Sequence, residues 1–329
     1  MLSRRNPLIT NFACDLHCHT TRSDGKDTYP ELIDHAVSLG MYAIGITDHD
    51  INPAAQITTV EGIEIDPALY AAEHGLTLIP GYEFSTNTWV DDVHICGYGL
   101  DWSNPELQAE IEAAARSKTD AYEELCWRLT ALGMAIDWEE DILQTNASDG
   151  SRVSRTPDKV QRKHIFEAMA VKGYTVSWSA AKLLVRDNPD LNVRRRKIDS
   201  IEAIQLIQRC GGVSVLAHPY LIDEKIMLTG QPDMSRADYI ETLIEAGLDG
   251  IETRYTYDKT TYKGVLSPEQ IEVEVRDRYQ GRLAILSGGS DYHGRPKTGE
   301  KNPRSLGERG LTIEEFESIR EFLELKLFG

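Results

Sequence analysis

The stretch YAIGITDHD, residues 42–50, is a short apolar run that ends abruptly in two aspartates and a histidine. A run of this length and composition predicts a strand that is buried in a sheet. A second such run, LTLIPG at residues 76–81, follows a helical segment that begins with Asp66 as N-cap and ends at Gly75. Strand–helix–strand units of this kind imply a largely parallel sheet or barrel.

The alternation of strands and helices continues along the chain and is interrupted once. Between residues 104 and 198 the signals are helical, and no strand signal of comparable strength appears. We therefore predict an α/β fold with a helical insertion. Outside the insertion, further strands are predicted at 13–19, 212–217, 249–254 and 282–288, and helices at 29–40, 199–209, 235–246, from Pro268 onward and at 312–327.

Composition narrows the class of protein. The 329 residues suffice for one large domain or two smaller ones. No apolar stretch could span a bilayer, and the first residues, MLSRRNPLITNF, lack the apolar run of a secretory signal. We expect a soluble, cytoplasmic protein without a membrane partner. The cysteines are scattered without a CxxC pair, so a disulfide framework is not expected; they are Cys14, Cys18, Cys96, Cys126 and Cys210.

The net charge of −18 excludes bulk attraction to long nucleic acid. The charge is uneven, because residues 151–200 contain twelve Lys and Arg against five Asp and Glu, a local charge of +7. This basic segment either binds an anionic substrate or is a solvated helical surface. The run Arg194–Lys197 within it fits a solvated turn better. The sequence carries no signal for the oligomeric state.

Residues that can bind metal ions follow the predicted strands. In parallel α/β folds, functional groups collect at the carboxyl ends of the strands. Five ends or edges with such a side chain are hard to explain as chance. The residues are His49 after the first quoted strand, Glu83 after LTLIPG, His94 in VHICGYG, His218 after GVSVLA, and Asp291 and His293 after RLAILSGGS.

The stretch CDLHCHTTRSDG, residues 14–25, adds to this set. If 13–19 is a strand, Asp15, His17 and His19 share one face, and the cysteines lie on the other, where they suit apolar packing. Ligands that are all imidazole and carboxylate suit Mn²⁺, Fe²⁺ or Zn²⁺. The candidates outnumber the needs of one ion, so two or three are expected, with Glu83 as the best bridging carboxylate.

Taken in order, the motifs DLHCHTTRSDG, GITDHD, GYEFSTN…HICGYG, LAHP and SGGSDYH resemble those of the polymerase-and-histidinol-phosphatase (PHP) family. The resemblance implies a distorted (β/α)₇ barrel formed by residues 12–99 and 199–329. Residues 100–198 would be a helical insertion that caps the active site. It also implies three ions per chain, most readily Mn²⁺.

The resemblance distributes the metal ligands over three ions. His17, His19, Glu83 and Asp291 would hold the first ion. Glu83 would bridge to a second ion, which His94 and His218 would also hold. Asp24, His49 and His293 would hold the third.

Other residues are assigned weaker roles. Asp15, Asp48 and Asp50 are expected to orient imidazoles rather than to bind metal. An Arg-x-His pattern in the resembling subgroup makes Arg162 and His164 candidates for substrate contact. Arg22 and Arg254 are rival candidates because they lie next to strand-end motifs.

The implied activity is metal-dependent hydrolysis of a phosphate ester, with a hydroxide between two ions as nucleophile and no other catalytic residue assigned. Members with this insertion resemble nucleoside 3′,5′-bisphosphate nucleotidases, short-RNA 5′→3′ exonucleases and a hydrolase of phosphoribosyl 1,2-cyclic phosphate. Tyr220-Leu221 after the His-Pro pair departs from the nucleotidases. We therefore favour a small ribose-phosphate ester, the cyclic diester included.

Two other classes of protein are alternatives to a phosphoesterase. The chain could be a metal-bound accessory or regulatory domain, but its ligand set is complete and no polymerase segment accompanies it. An amidohydrolase-like enzyme would carry a strand-end lysine, and no lysine stands at an equivalent strand end.

Overall fold

The computed structural model describes residues 8–86, 90, 93–146, 152–227, 233–296 and 301–324. The strands are β1 (Cys14–Cys18), β2 (Ala43–Ile46), β3 (Ile57–Thr58), β4 (Glu64–Ile65), β5 (Thr77–Ser85), β6 (His94–Tyr98), β7 (Gln144–Asn146), β8 (Arg152–Ser154), β9 (Val213–Leu216), β10 (Lys225–Ile226), β11 (Met234–Ser235), β12 (Gly250–Arg254) and β13 (Ile285–Gly288). The helices are α1 (Tyr29–Ser38), α2 (Pro67–Glu73), α3 (Pro105–Ala131), α4 (Arg162–Val171), α5 (Trp178–Asp187), α6 (Ser200–Arg209), α7 (Arg236–Glu245), α8 (Pro268–Tyr279) and α9 (Ile313–Glu324).

Seven strands form one sheet in the order β1–β2–β5–β6–β9–β12–β13. The segment after β13 returns to β1: the amide of His19 donates to the carbonyl of Tyr292 at 2.8 Å, and the amide of Tyr292 donates to the carbonyl of His17 at 3.2 Å. The sheet is therefore nearly closed into a barrel, as predicted.

Strand β6 departs from the predicted parallel arrangement. It pairs antiparallel with β5 on one side and with β9 on the other. Its first residue, His94, lies opposite Ser85, the last residue of β5. The amino end of β6 therefore lies at the same edge as the carboxyl ends of its neighbours, and His94 reaches the common edge from the start of its strand.

Local sequence signals explain where α1 and α2 begin. Thr28 and Glu31 form a capping box at the start of α1. Asp66 accepts from the amide of Leu69 at the start of α2, where Pro67 needs no hydrogen-bond acceptor. The expected helix 29–40 ends at Ser38, and the final helix is described to Glu324, so the predicted residues 325–327 lie outside the described chain.

The apolar faces of β1 form part of the core. Cys14, Leu16 and Cys18 are fully buried among aliphatic and aromatic side chains. The other three cysteines are also buried thiols. This confirms that the cysteines are core residues.

The chain divides into two compact units, one of Met1–Gln108 with Ile198–Gly329 and one of Ala109–Lys197. The second unit has its own core, formed by apolar residues of α3, α4 and α5. It also contains the antiparallel pair β7–β8, which the sequence did not predict because each strand has only three residues. Within the described residues, no helix combines the length and apolar composition needed to cross a membrane.

Candidate metal centre

Three residues of the strand-end motifs have a left-handed backbone conformation, in which a side chain costs free energy. They are Asp50 with φ 51°, His218 with φ 34° and Asp291 with φ 52°. His218 lies two residues after β9 and Asp291 three residues after β13, and Pro219 begins a 3₁₀ turn. The surrounding structure holds these strained residues in place, which is typical of functional sites.

Glu83 lies at the centre of the cluster and is 1% exposed. Its Oε2 atom is 3.1 Å from Nε2 of His17, 3.2 Å from Nε2 of His19 and 3.2 Å from Nδ1 of His49. Three imidazoles from three separate segments therefore converge on one carboxylate oxygen.

The second oxygen of Glu83 faces a different pair of imidazoles. Oε1 is 2.9 Å from Nδ1 of His94 and 3.2 Å from Nε2 of His218. The two oxygens of one carboxylate thus divide the histidines into two groups. A bridging carboxylate between two cations requires this division.

A second group of residues adjoins His19. Oδ1 of Asp291 lies 3.0 Å from Nε2 of His19 and 3.4 Å from Nδ1 of His293. Nε2 of His293 is in turn 3.3 Å from Oδ1 of Asp24. Asp291 therefore links the Glu83 group to a more exposed group that contains Asp24.

The residues fit divalent cations. Three sets of possible ligand atoms lie within 4.8 Å of one another in each set. Several buried ring nitrogens, on His19, His49 and His218, make no hydrogen bond of good geometry although carboxylates are near. Such nitrogens are expected where lone pairs point at a shared ion. The sets are His17, His19 and Glu83; His49, Glu83 and His94; and His19, Asp24, His49 and His293.

The carboxylates make this cluster attractive to positive charge. Burial lowers the pKa of His19, but the carboxylates of Asp291 and Glu83 close to its Nε2 outweigh burial and raise that pKa to about 10. Burial raises the pKa of Glu83, but His49, His17 and His94 hold it well below the usual range. Imidazoles and carboxylates without sulfur are the donor set of Mn²⁺, Fe²⁺ and Zn²⁺ sites.

Glu252 belongs to the site, although the sequence analysis missed it. Its Oε1 lies 2.8 Å from Nδ1 of His17, and its Oε2 accepts from the backbone amide of His218 at 2.7 Å. It therefore fixes the ring of His17 so that the opposite nitrogen faces Glu83. The available signal was a glutamate in the middle of the apolar strand GIETR.

We expect the substitution Glu252→Gln to lower metal affinity or turnover about 10- to 100-fold, because outer partners of ligating histidines have effects of that size. Metal titration followed by steady-state kinetics would measure both quantities. Glu202→Gln on the exposed surface of α6 is the matched control. Unchanged affinity and turnover in the Glu252 variant would contradict an orienting role.

Asp291 is held by two further residues that the sequence analysis did not single out. The hydroxyl of Tyr255 donates to Oδ2 of Asp291 at 2.7 Å. Arg304 donates from Nη1 to the same oxygen and to the carbonyl of Asp291. Both contacts leave Oδ1 directed at the imidazoles.

The role predicted for Asp15, Asp48 and Asp50, to orient imidazoles, stays a prediction, and their described contacts are with backbone amides and hydroxyls, including the amide of His17 for Asp15. Asp15 accepts from the amides of Ser290 and Gly307 at 3.0 and 2.9 Å. Asp48 binds the amide and hydroxyl of Thr20 and the hydroxyl of Ser23, and Asp50 accepts from the amide of Ser85. The three aspartates tie loops together because hydroxyls and backbone amides lie nearer to them than imidazoles do.

Arg254 and Arg22, two of the residues predicted to contact substrate, differ in the partners of their guanidinium groups. The guanidinium of Arg254 is held by Glu272 at 2.7 Å and by both oxygens of Glu315, which argues against a role in binding substrate. Arg22 donates from Nη2 to the carbonyl of Asn52 at 3.0 Å, and its buried Nε has no hydrogen-bond partner among the described residues.

Arg162 and His164 lie in the second unit, on the first turn of α4. Nδ1 of His164 accepts from the amide of Gln161 at 3.1 Å. Burial, with the charges of Arg155 and Lys163, lowers the pKa of His164 to about 4, so its imidazole is neutral near pH 7. The buried Nε of Arg162 has no hydrogen-bond partner among the described residues.

Known proteins of similar sequence are phosphate-ester hydrolases by name. A phosphoribosyl 1,2-cyclic phosphate 1,2-diphosphodiesterase from Eggerthella lenta is 27% identical over 289 residues, or 85% of this chain and 94% of that protein. A 3′,5′-nucleoside bisphosphate phosphatase from Chromobacterium violaceum is 29% identical over 247 residues, 72% of this chain and 75% of that one. A 5′-3′ exoribonuclease from Haemophilus influenzae is 28% identical over 206 residues, 62% and 68% of the two chains.

Two solved structures share the fold. One, from Bifidobacterium adolescentis, carries the name of a metal-dependent phosphoesterase and has a TM-score of 0.64 at 24% identity over 96% of both chains. The other, named an amidohydrolase, is from Chromobacterium violaceum with bound sulfate and no metal; its TM-score is 0.65 at 23% identity, over 95% of this chain and 96% of that one. The sequence model of the PHP domain matches residues 15–140, which contain the first three of the five motifs. Residues 15–140 therefore match a PHP domain, and the ordered motifs lie on a nearly closed seven-stranded barrel.

Proposed function

We propose that this metal-dependent phosphoesterase hydrolyses a small ribose-phosphate or nucleotide ester, with a cyclic phosphodiester followed by its monoester as the favoured reaction. The observation that carries the proposal is the position of Glu83, whose two oxygens face separate groups of imidazoles. A centre of this design can bind more than one cation against a phosphoryl group. Three relatives whose names describe action on phosphate esters support the same reaction class.

We assign three ions to the cluster, with Mn²⁺ as the first choice and Fe²⁺ or Zn²⁺ as alternatives. When bound, they would polarise the phosphoryl group and lower the pKa of water. The protein groups then have separate tasks. The first ion would be held by His17, His19, Glu83 and Asp291, the second by Glu83, His94 and His218, and the third by Asp24, His49 and His293.

The remaining residues position these side chains. Glu252 orients His17, while Tyr255 and Arg304 hold Asp291. Glu83, Asp24, Asp291 and Glu252 are each close to imidazoles in the described chain, so none is singled out as a general acid. Binding and orientation by these residues account for the protein's own contribution to the reaction.

The cyclic diester is favoured because similarity to the cyclic-phosphate diphosphodiesterase extends over 289 residues, against 247 for the bisphosphate phosphatase and 206 for the exoribonuclease. The departure after the His-Pro pair has a structural basis. The phenol of Tyr257 accepts from the amide of Tyr220 at 3.2 Å, and both rings are buried. Two aromatic rings therefore occupy the segment that follows His218.

The second unit is assigned the role of a substrate-binding cap. Arg162 with its unpartnered Nε and the neutral His164 are the residues proposed to contact substrate there, and Arg22 is the candidate in the barrel. The charge of −18 excludes long nucleic acid as the preferred substrate. A short RNA end remains compatible with the exoribonuclease relatives.

A phosphate-release screen in the presence of Mn²⁺ tests the proposal. The substrates are nucleotides, nucleoside 3′,5′-bisphosphates, histidinol phosphate, ribose phosphates and cyclic ribose phosphates. We expect turnover of the cyclic ribose phosphate with release of inorganic phosphate. No turnover of any substrate by metal-loaded protein would refute the enzyme and favour an accessory domain.

A further inference from the structure

A cavity in the barrel unit has a lining in which none of the proposed metal ligands takes part, among the residues that the structure describes. Its volume is about 550 Å³, within the roughly 300–1,000 Å³ of small-molecule sites. The lining combines apolar and polar side chains, as ligand sites do. The apolar residues include Ile9, Leu39 and Leu306, and the polar residues include His35, Tyr292 and Arg295.

Arg295 gives this cavity a cation that can bind a ligand. Its side chain is exposed, and its guanidinium makes no hydrogen bond or ion pair with a described residue. Its backbone amide is anchored, at 3.4 Å from Oδ1 of Asp27. Glu308, which also lines the cavity, is paired with the ammonium of Lys259 and not with this guanidinium. Arg295 can therefore bind a carboxylate or a phosphate bidentately.

His35 supplies an acceptor in the same cavity. The phenol of Tyr292 donates its single hydrogen to Oδ2 of Asp27 at 2.8 Å. Nδ1 of His35, 3.1 Å from the phenol oxygen, must then be the donor to it. Burial, together with the charge of Arg295, lowers the pKa of His35, so the imidazole is neutral near pH 7. Its Nε2 makes no hydrogen bond with the described residues and can accept from an N–H or O–H group of a ligand.

Tyr292 connects the wall of the cavity with the metal centre. It stands between Asp291 and His293 in the chain, and its backbone pairs with β1 and with the residue that follows β1. Its buried ring lies beside the imidazole of His35 on α1, with ring centroids 5.8 Å apart. A ligand that bridges α1 and the segment after β13 would therefore hold two proposed metal ligands in place against β1.

We propose that this cavity is a second small-molecule site, which binds an organic anion with an apolar body and tightens the binding of metal ions through Tyr292. The anionic group would meet Arg295, a donor group would meet His35, and the body would lie against Leu39 and Leu306. Carboxylates and phosphates share this chemistry. The inference goes beyond the proposed function, because this ligand is bound away from the ions and is not hydrolysed.

The first test is a calorimetric titration of chelator-treated protein with three indole probes. Indole-3-acetate and indol-3-ylmethylphosphonate carry the two kinds of anion on a ring with an N–H donor, and indole-3-ethanol is the neutral control. We expect the better anion to bind about tenfold more tightly than the alcohol, and its identity tells a carboxylate site from a phosphate site. Equal affinity of all three probes, or no binding, would overturn the proposal.

Variants locate the binding. Arg295→Gln should weaken anion binding about tenfold, and Arg295→Lys should restore part of it. Ser305→Phe narrows the cavity at an exposed position and should weaken all three probes. Arg282→Gln removes an exposed arginine elsewhere in the same unit and should change affinities by less than about twofold. Anion binding that Arg295→Gln and Ser305→Phe both leave unchanged would place the anion elsewhere and refute the site.

The second test measures the coupling to the metal centre. We expect a saturating anion to raise the affinity for Mn²⁺ about fivefold, measured as free Mn²⁺ by electron paramagnetic resonance. Mn²⁺ should raise the affinity for the anion by the same factor, because linkage between two sites is reciprocal. Tyr292→Phe keeps the ring but removes the phenol between Asp27 and His35, so it should bind the anion and lose the coupling.

The outcomes separate this inference from the proposed function. If the wild type hydrolyses no ester, the proposed function fails, while both titrations still test the cavity. Coupling that persists in Arg295→Gln would come from anions bound directly to the ions and would overturn the role of the cavity. Anion binding without a change in Mn²⁺ affinity would overturn the role of Tyr292.

Discussion

Replacing Glu83 by Gln is expected to lower turnover by more than about 100-fold, since even outer partners of metal ligands cost 10- to 100-fold when removed. The substitution keeps the size of the side chain but removes the charge that five imidazoles face. An amide has one oxygen and one NH₂ group, so it cannot bridge two cations. Steady-state kinetics together with metal analysis by plasma mass spectrometry would measure the effect.

Glu73→Gln, at the exposed end of α2, makes the same chemical change away from the cluster and should leave turnover and metal content unchanged. Thermal unfolding of the metal-free proteins provides a check on folding. If the Glu83 variant retained full metal content and turnover, the assignment of Glu83 as the shared ligand would be wrong.

Removal of metal should abolish turnover and lower the melting temperature of the protein by about 5 °C or more. A ligand present at 100 times its Kd stabilises a protein by about 2.7 kcal/mol per site. In a domain of this size, each kcal/mol changes the melting temperature by a few degrees, which gives the expected fall. The fall in melting temperature is limited because imidazoles and carboxylates pair with one another in the metal-free cluster. Dialysis against a chelator, followed by scanning calorimetry and a turnover assay, would test both expectations.

Reloading with Mn²⁺, Fe²⁺ or Zn²⁺ should restore both quantities, and the metal content at saturation would test the proposed three ions. His74→Ala is the matched histidine control, because His74 is exposed and its ring contacts the carbonyl of Tyr70. Its metal content should equal that of the wild type. Full turnover in protein shown to contain no metal would contradict the proposed chemistry.

Local patterns predicted the strands and helices of a sheet or barrel, and the family resemblance implied that the sheet is a barrel. Short apolar runs, glycines after helices and caps such as Asp66 depend on near neighbours, and each predicts an element by itself. Strand β6 was the exception: HICGY has the same composition whether it runs parallel or antiparallel. Its direction depends on the short connection from β5, which leaves no room for a crossover helix.

Metal-site residues were easier to predict than the residues that position them. A histidine or aspartate directly after a buried strand stands out in the sequence. Glu252, Tyr255 and Arg304 contact residues 235, 36 and 13 positions away, and no local pattern marks such pairs. The same limit explains why Asp48, beside His49 in the sequence, binds Thr20 and Ser23 in the folded chain.

The sequence by itself determined the element types, the chemical nature of the metal-site side chains and the face of β1 that carries them, because alternation and composition are local properties. Only the tertiary structure decided that Glu83 divides five imidazoles between its two oxygens and that Glu252 orients His17. Each of these arrangements joins segments far apart in the chain, and their distances exist only once the sheet has closed.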